Sequence, residues 1–326
     1  MRALLALTAL LGTPALAAKK PPSLDAAYRS VQASAVANFE DEEARYQFIP
    51  QSSWYICRSK DGDVGRNSVP VDRLRKNRQG DCANFTGATL EDFDLKGAAL
   101  DGADLNHARL ARVQLKGARL KWSDLNYADL AKADLEAVAA PGARFVGSLL
   151  DQANLYQAKL EDAVLVSASL ERANLKEASL PGADLRGARL VGTIFAKADL
   201  RSAQFAGADL TGAGLAGADL RRADLSRAEL AGAGFQGADL REAHLYAATL
   251  ERVDLSGADL RGANLTKCEF KSGSFKDADL REAWLSGADL RRADLSSASL
   301  AGAVYDYQTR LPFSAAEAKK RGMRRR

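Results

Sequence analysis

The chain has 326 residues, a formal net charge of +4, 47% hydrophobic residues and only 7% aromatic ones. Ala and Leu supply most of the hydrophobic residues, so the core is expected to be thin and repetitive, which excludes an ordinary globular core. After residue 17 no apolar run reaches the length of about 18 residues that a membrane-spanning helix needs.

The first segment, residues 1–17, has the pattern of a secretory signal peptide. Arg2 precedes an apolar run, and Ala15-Leu16-Ala17 supplies the small-x-small cleavage pattern. No Cys lies near the cut, which disfavours a lipid anchor. We expect the mature protein to be exported to the periplasm or the extracellular space; the alternative is a buried N-terminal helix.

Residues 18–80 are predicted to form a small mixed N-terminal cap region. Apolar residues at helical spacing occur in residues 23–47, residues 52–59 read as a strand, and residues 61–67 as a turn. Because an exported chain meets an oxidising compartment, Cys57 and Cys82 are a candidate disulfide pair. No CxxC motif or Cys/His cluster accompanies them, which argues against a metal site.

A five-residue frame runs without insertion from residue 83 to 305. One position is Leu or Phe in every repeat up to residue 300 except at Ala140, and the position two residues earlier is nearly always small. A period of five fits neither a straight strand nor an α-helix, so the chain is predicted to turn a corner every five residues. Such a chain closes into stacked coils of parallel strands, and Cys268 falls at an inward, buried position.

The repeats ADLRRADLSRAEL (218–230) and VDLSGADLRGANL (253–265) resemble the pentapeptide-repeat family, whose motif is A(D/N)LXX. The resemblance implies an all-β, right-handed, four-sided parallel β-helix with four repeats per coil over residues 81–305. At that count the frame gives about eleven coils. ADLR recurs every 20 residues between 198 and 281, although copies at 183 and 288 leave this register.

Residues 306–326 are predicted to hold a C-terminal cap and a basic tail. Ser314 and Glu317 have the spacing of a capping box for a short helix. The tail AKKRGMRRR is expected to be a solvated, disordered end; the alternative is contact with an anionic surface. Some members of the family dimerise through terminal elements, so a monomer and an end-to-end dimer both remain open.

Two outward positions form columns of opposite charge in the 20-residue register. One is Asp199, Asp219, Asp239, Asp259 and Asp279; the other is Arg201, Arg221, Arg241, Arg261 and Arg281. We interpret them as a solvated charge lattice, with a recognition face for a charged polymer or protein as the alternative. A second candidate surface is a side of the rod that carries aromatic residues, namely His107, Tyr127, His244, Tyr246 and Trp284.

Enzyme chemistry is disfavoured. Polysaccharide-cleaving β-helices need a cleft walled by loops, and the repeat frame has no inserted residue to build one. The two His residues are far apart, and there is no phosphate-binding glycine loop. We therefore expect no cofactor, metal or small-molecule substrate.

Three functions are consistent with the sequence. The first is an exported, non-enzymatic scaffold that binds a protein along its rod. The second is a binder of the cell envelope or of an anionic polysaccharide through the Arg column and the basic tail. The third is a DNA mimic that binds a type II topoisomerase, as some pentapeptide-repeat proteins do; the signal peptide and the mildly acidic repeats argue against it, and nucleic acid is not an expected partner.

Overall fold

The structure is a computed structural model that describes residues 70–326. The predicted signal peptide, the elements predicted in residues 23–67 and Cys57 lie outside the described residues. The described part begins just before the repeats and continues to the end of the sequence.

Parallel bridges join one outward position of the repeats to the residue 20 positions later. Four such columns start at Gln79↔Ala99, Asn84↔Asp104, Thr89↔Arg109 and Asp94↔Gln114. Because four bridges occur in each 20-residue turn, the coil has four sides. The prediction of a parallel solenoid with four repeats per turn is confirmed.

The corners between the sides are tight turns that recur every five residues. At each corner a backbone N–H donates to a carbonyl three residues earlier, as from Ala258 to Leu255 at 3.1 Å. The residue preceding the donor is left-handed, with φ of +67° at Gly257 and +68° at Gly262. Since L-residues adopt this conformation at a cost of about 1–2 kcal/mol, glycine is frequent there, and residues such as Arg222 (φ +60°) are tolerated.

The core is a continuous stack of the two inward positions predicted from the frame. Their Leu, Phe and Ala side chains are almost all buried. Where an inward residue is polar, its hydroxyl is satisfied internally, because Ser123 donates to the Leu120 carbonyl at 2.7 Å and Thr193 to the Leu170 carbonyl at 2.8 Å. Cys268 is a buried free thiol that donates to the Leu245 carbonyl at 2.9 Å, as expected for its inward position.

Within residues 70–326, five segments are extended beyond a single bridge. They are β1 (Thr249–Asp254), β2 (Glu269–Ser274), β3 (Ala293–Asp294), β4 (Val304–Tyr305) and β5 (Arg324–Arg325). Strands β1, β2 and β3 form one parallel sheet in that order, and β4 pairs with β5. A Cβ on Gly273 would lie 2.8 Å from the Val253 carbonyl oxygen, so this glycine allows β1 and β2 to approach.

A helix that the sequence pattern did not predict precedes the first coil. Helix α1 (Val71–Asn77) ends at Arg78, which is left-handed. Leu74 is fully buried in the core, and a Cβ on Gly80 would lie 3.2 Å or less from Leu74, Phe85 and Leu100. The end of the predicted N-terminal cap region therefore packs on the first coil.

The C-terminal helix is confirmed, whereas the expectation of a disordered tail is wrong. Helix α2 (Ala315–Lys320) is capped by Ser314, whose hydroxyl accepts from the Glu317 N–H at 3.3 Å. The tail then returns to the coil as β5, in the same 20-residue register as the repeats. Burial of Ala318 and Met323 holds this segment in place.

Candidate binding surface

The two charge columns form a chain of alternating ion pairs, which we call the Asp–Arg ladder (residues 199–281). Within a repeat, the arginine guanidinium donates two hydrogen bonds to the carboxylate of the aspartate two residues earlier. In Arg221 the Nε donates to Asp219 Oδ1 at 2.8 Å and the Nη2 to Oδ2 at 2.6 Å. The other four arginines make the same pair of contacts with the carboxylates of their own repeats.

The ladder also connects successive turns of the coil. Arg221 Nε lies 3.6 Å from Asp239 Oδ2 in the next turn, and Arg241 Nε lies 3.6 Å from Asp259 Oδ2. Each of the first four guanidinium groups thus lies between two carboxylates, and the repulsion within each column is offset by the other column. The predicted lattice is present, and its arginines are already paired.

Ion pairing also shifts the pKa of individual groups in the ladder. The hydrogen bond from Arg201 holds the pKa of the Asp199 carboxyl below its ordinary value, against the effect of partial burial. Arg281 lowers the pKa of Asp279 in the same way, and the bond to Asp239 raises the pKa of Arg241. These carboxylates remain ionised at neutral pH, so they are poorly suited to general acid catalysis.

The predicted aromatic residues lie on or beside one side of the coil but form two separate groups. Bridges from His244 to Asn264 and from Asn264 to Trp284 place the first group in the C-terminal part of the rod. Trp284 is 43% exposed. Tyr246 lies two residues beyond His244, with Lys267 Nζ 5.6 Å from its ring centroid.

The second aromatic group lies in the N-terminal part of the rod. His107 and Tyr127 stack with ring centroids 5.2 Å apart and an interplanar angle of 15°. The Tyr127 ring covers Gly147, where a Cβ would lie 2.7 Å from the ring. These rings pack along the rod, where Tyr127 is half-buried and His107 is exposed.

Two exposed features in the C-terminal part of the rod were not predicted from the sequence. The Arg326 guanidinium lies 5.8 Å from the centre of the Trp284 ring, and Tyr307 is 79% exposed. The first depends on the return of the tail as β5. In the last turn Arg310 bridges Asp289 at a separation of 21 residues, one more than in the regular repeats.

Cys82 takes part in a disulfide bond at a corner with φ of +56°. Its pairing with Cys57 stays a prediction because Cys57 lies outside the described residues. Across residues 70–326, no cluster of three or more His, Cys, Asp or Glu side chains is arranged to hold a metal ion. Within the same residues, no helix has the length and apolar character needed to cross a membrane.

The repeats match the family model described as pentapeptide repeats. The matched segments are 83–126, 103–138, 114–152, 128–165, 168–205, 178–215, 208–245, 243–272 and 274–303. No curated protein matches the chain.

Solved structures of similar chains include other pentapeptide-repeat proteins. HetL, involved in regulation of heterocyst differentiation in the cyanobacterium Nostoc sp. strain PCC 7120, is 33% identical, with coverage of 72% of this chain and 97% of HetL and a TM-score of 0.28. QnrB1, a plasmid-mediated fluoroquinolone resistance protein, is 22% identical, with coverage of 58% and 91% and a TM-score of 0.33. On the match of its repeats to the family model, the chain belongs to the pentapeptide-repeat family.

Proposed function

We propose that the protein is an exported, non-enzymatic scaffold that binds another protein along the side of its rod. The observation that carries the proposal is the exposed Trp284 on a side whose backbone is fixed by bridges in every turn. A rigid surface loses little conformational entropy on binding. Trp, Tyr and Arg are also the residues that contribute most to protein interfaces.

The surface around Trp284 has the composition of a small interface. Val304 follows Trp284 in the same column, and Arg326 lies over the indole ring. Tyr246 lies at the adjoining corner two turns earlier. An apolar centre with an arginine at its edge suits a protein surface that presents a hydrophobic side chain beside a carboxylate.

A crosslinking pulldown with the full chain tests this proposal. We expect Trp284→Ala combined with Tyr246→Ala to abolish recovery of the partner. The matched control is His107→Ala combined with Tyr127→Ala, which removes two rings from the other end of the same side. Equal loss with both double variants, or loss with neither, would overturn the assignment of the surface.

The Asp–Arg ladder is expected to contribute solubility and stiffness to this scaffold. Because each arginine is bonded to a carboxylate of its own repeat, a charged partner would have to compete with that bond. We expect Arg221→Ala/Arg241→Ala/Arg261→Ala to leave partner recovery unchanged. Loss of partner recovery with this triple variant would indicate that the ladder is part of the binding surface. Inhibition of gyrase by the purified protein would instead favour the DNA-mimic alternative.

We infer that the rod comprises about eleven right-handed coils and is on the order of 50 Å long, at about 4.8 Å per strand. Residues 18–80 would cover its first coil and residues 306–326 its last. Burial of Leu74 and Ala318 at the two ends supports this arrangement. Its solution state is proposed to be a monomer or an end-to-end dimer, which sedimentation would distinguish.

Export is part of the same proposal and rests on residues 1–17. A fusion of these residues to a reporter that is active only outside the cytoplasm should give activity and cleavage after Ala17. Retention of an uncleaved fusion in the cytoplasm would contradict export.

A further inference from the structure

The regular left-handed corner is absent at Ser272, Arg292 and Ser297, of which the first two lie in one column of the rod. Along this column Gly232 and Arg252 are left-handed, with φ of +68° and +56°, whereas Ser272 and Arg292 do not have positive φ. Residue 272 instead lies within the continuous strand β2. The β1–β2 pairing shifts register between Leu250 and Val253.

The change of corner opens a gap in the backbone ladder. Phe270 N–H donates to the Asp289 carbonyl at 3.1 Å, and pairing of β2 with β3 starts again only at Gly273↔Ala293. Between these two points the coil containing β2 and the coil that follows are unpaired in the described residues. The one-residue extension before Arg310 widens the next turn. The result is an open recess of about 720 Å³.

Positive charge predominates in this recess, which we call the basic recess. Its cationic side chains are Lys267, Lys271, Arg291, Arg292 and Arg310, and its carboxylates are Glu269 and Asp289. The arginines therefore outnumber the carboxylates even before the lysines are considered.

Pairing within the basic recess is incomplete. The Asp289 carboxylate accepts hydrogen bonds from two arginines. Arg291 Nη2 donates to Oδ2 at 2.6 Å, and Arg310 Nη1 donates to the same oxygen at 3.4 Å. Lys271 Nζ lies 3.7 Å from Glu251. Arg292 is exposed and has no ion-pair partner among residues 70–326. The recess therefore offers cations from successive turns that have donors to spare for a ligand.

The rim adds groups that suit a sugar. Gln308 lines the recess, and its side-chain amide donates to the Tyr307 hydroxyl at 3.3 Å. Tyr307 is 79% exposed, so its ring face is free to pack against the apolar face of a pyranose. Glu269 and Asp289 would repel a densely charged polyphosphate, whereas they can accept hydrogen bonds from hydroxyl groups.

We propose that the basic recess binds an acidic oligosaccharide. The carboxylates of the oligosaccharide would contact Lys271, Arg292 and Arg310. The sugar hydroxyls would donate to Glu269 and Asp289, and one sugar ring would pack on Tyr307. Lys271, Arg292 and Arg310 come from successive turns of the coil, which suits carboxylates carried on successive residues of a chain. The site goes beyond the protein-binding surface proposed above and does not depend on it.

Titration calorimetry of the full chain with oligogalacturonate at low ionic strength tests the proposal, because exposed charges are screened by salt. The matched ligand is the fully methyl-esterified oligomer, which has the same sugar chain without charge. We expect binding of the acidic oligomer only. Absence of binding, or equal binding of the two oligomers, would overturn the proposal.

The affinities of two double variants for the acidic oligomer test where the site lies. Lys271→Ala combined with Arg292→Ala should weaken binding by about tenfold or more, a loss readily measured. The control, Lys197→Ala combined with Arg222→Ala, removes the same charge from exposed corners elsewhere and should change affinity less than about twofold. Equal loss in both would indicate nonspecific attraction and overturn the site.

Two further measurements separate a sugar site from a simple anion site. Tyr307→Ala should weaken oligogalacturonate and leave the affinity for inorganic pyrophosphate unchanged. Pyrophosphate should compete poorly with the oligomer. Tighter binding of pyrophosphate than of the acidic oligomer would identify a phosphate site and contradict the proposal.

Discussion

The Asp–Arg ladder and the basic recess contain similar residues, yet they differ in how their charges are matched. In the ladder each arginine meets a carboxylate two residues earlier, and the 20-residue register repeats that match in turn after turn. In the basic recess the corner geometry changes, and Arg291 and Arg310 share Asp289. Availability for a ligand thus depends on local pairing and register rather than on the number of arginines.

The largest effect should come from the core beneath the ladder. Leu220 is fully buried, so Leu220→Lys would bury an unpaired ammonium group and should lower the free energy of unfolding by more than about 4 kcal/mol. Thermal unfolding followed by circular dichroism measures the loss. Gln204→Lys adds the same charge at an outward position and should unfold close to the parent. An unchanged melt for Leu220→Lys would refute the inward assignment.

The second largest effect on stability should distinguish the irregular coil that contains β2 from the regular coils. Gly273→Ala would place a Cβ 2.8 Å from the Val253 carbonyl oxygen and should cost about 1–3 kcal/mol through displacement of β1 from β2. Gly214→Ala is the matched control, since a Cβ there meets no atom within 4 Å. It should be neutral or slightly stabilising. Denaturant unfolding compares the two, and equal stability would show that the close approach is not required.

Removal of one ladder carboxylate should have a smaller effect. Asp239→Asn weakens the fork of Arg241 and the contact of Arg221. Because these ion pairs are partly exposed to solvent, we expect a slight fall in the unfolding midpoint that disappears at high salt. A fall that persisted at high salt would indicate that the ladder stabilises the rod by something other than charge.

The smallest effect should be on the way stability depends on acidic pH. The hydrogen bond from Arg291 lowers the pKa of Asp289 to about 2, below its ordinary value of about 4. Since the folded state holds the carboxylate ionised, Asp289 contributes stability above about pH 4, and this contribution is lost as the pH falls towards 2. Unfolding measured across that range should show a shallower acid dependence for Asp289→Asn. An identical acid dependence would contradict the pairing.

The sequence predicted the regular part of the molecule well because every repeat obeys the same local rule. Leu220 and Ala258 are inward by their place in the frame, and the columns of Asp219 and Arg221 follow from the spacing of 20. Beyond the frame, the capping-box spacing of Ser314 and Glu317 indicated that the Ser314 hydroxyl would cap a helix. The five-residue frame thus predicted the structure that the repeats have in common.

Departures from the repeat could not be predicted in the same way. The missing left-handed corners at Ser272 and Arg292 depend on how two neighbouring coils fit together. The shift that brings Arg310 beside Asp289 depends on one residue inserted after the frame ends. Return of the tail as β5 requires burial of Met323, which is a contact distant in sequence. A signal was present nonetheless, since Arg292 and Arg310 lack an acidic residue two positions earlier.

The return of the tail as β5 also bears on aggregation. A stack of parallel coils ends in unpaired backbone groups, and such an edge can recruit the next molecule and grow into a fibre. Here the segment paired with β4 consists of Arg324 and Arg325, both exposed, with Arg326 directly after them. Two copies approaching through this end would bring like charges together. We expect these arginines to disfavour stacking of further copies on this edge of the coil.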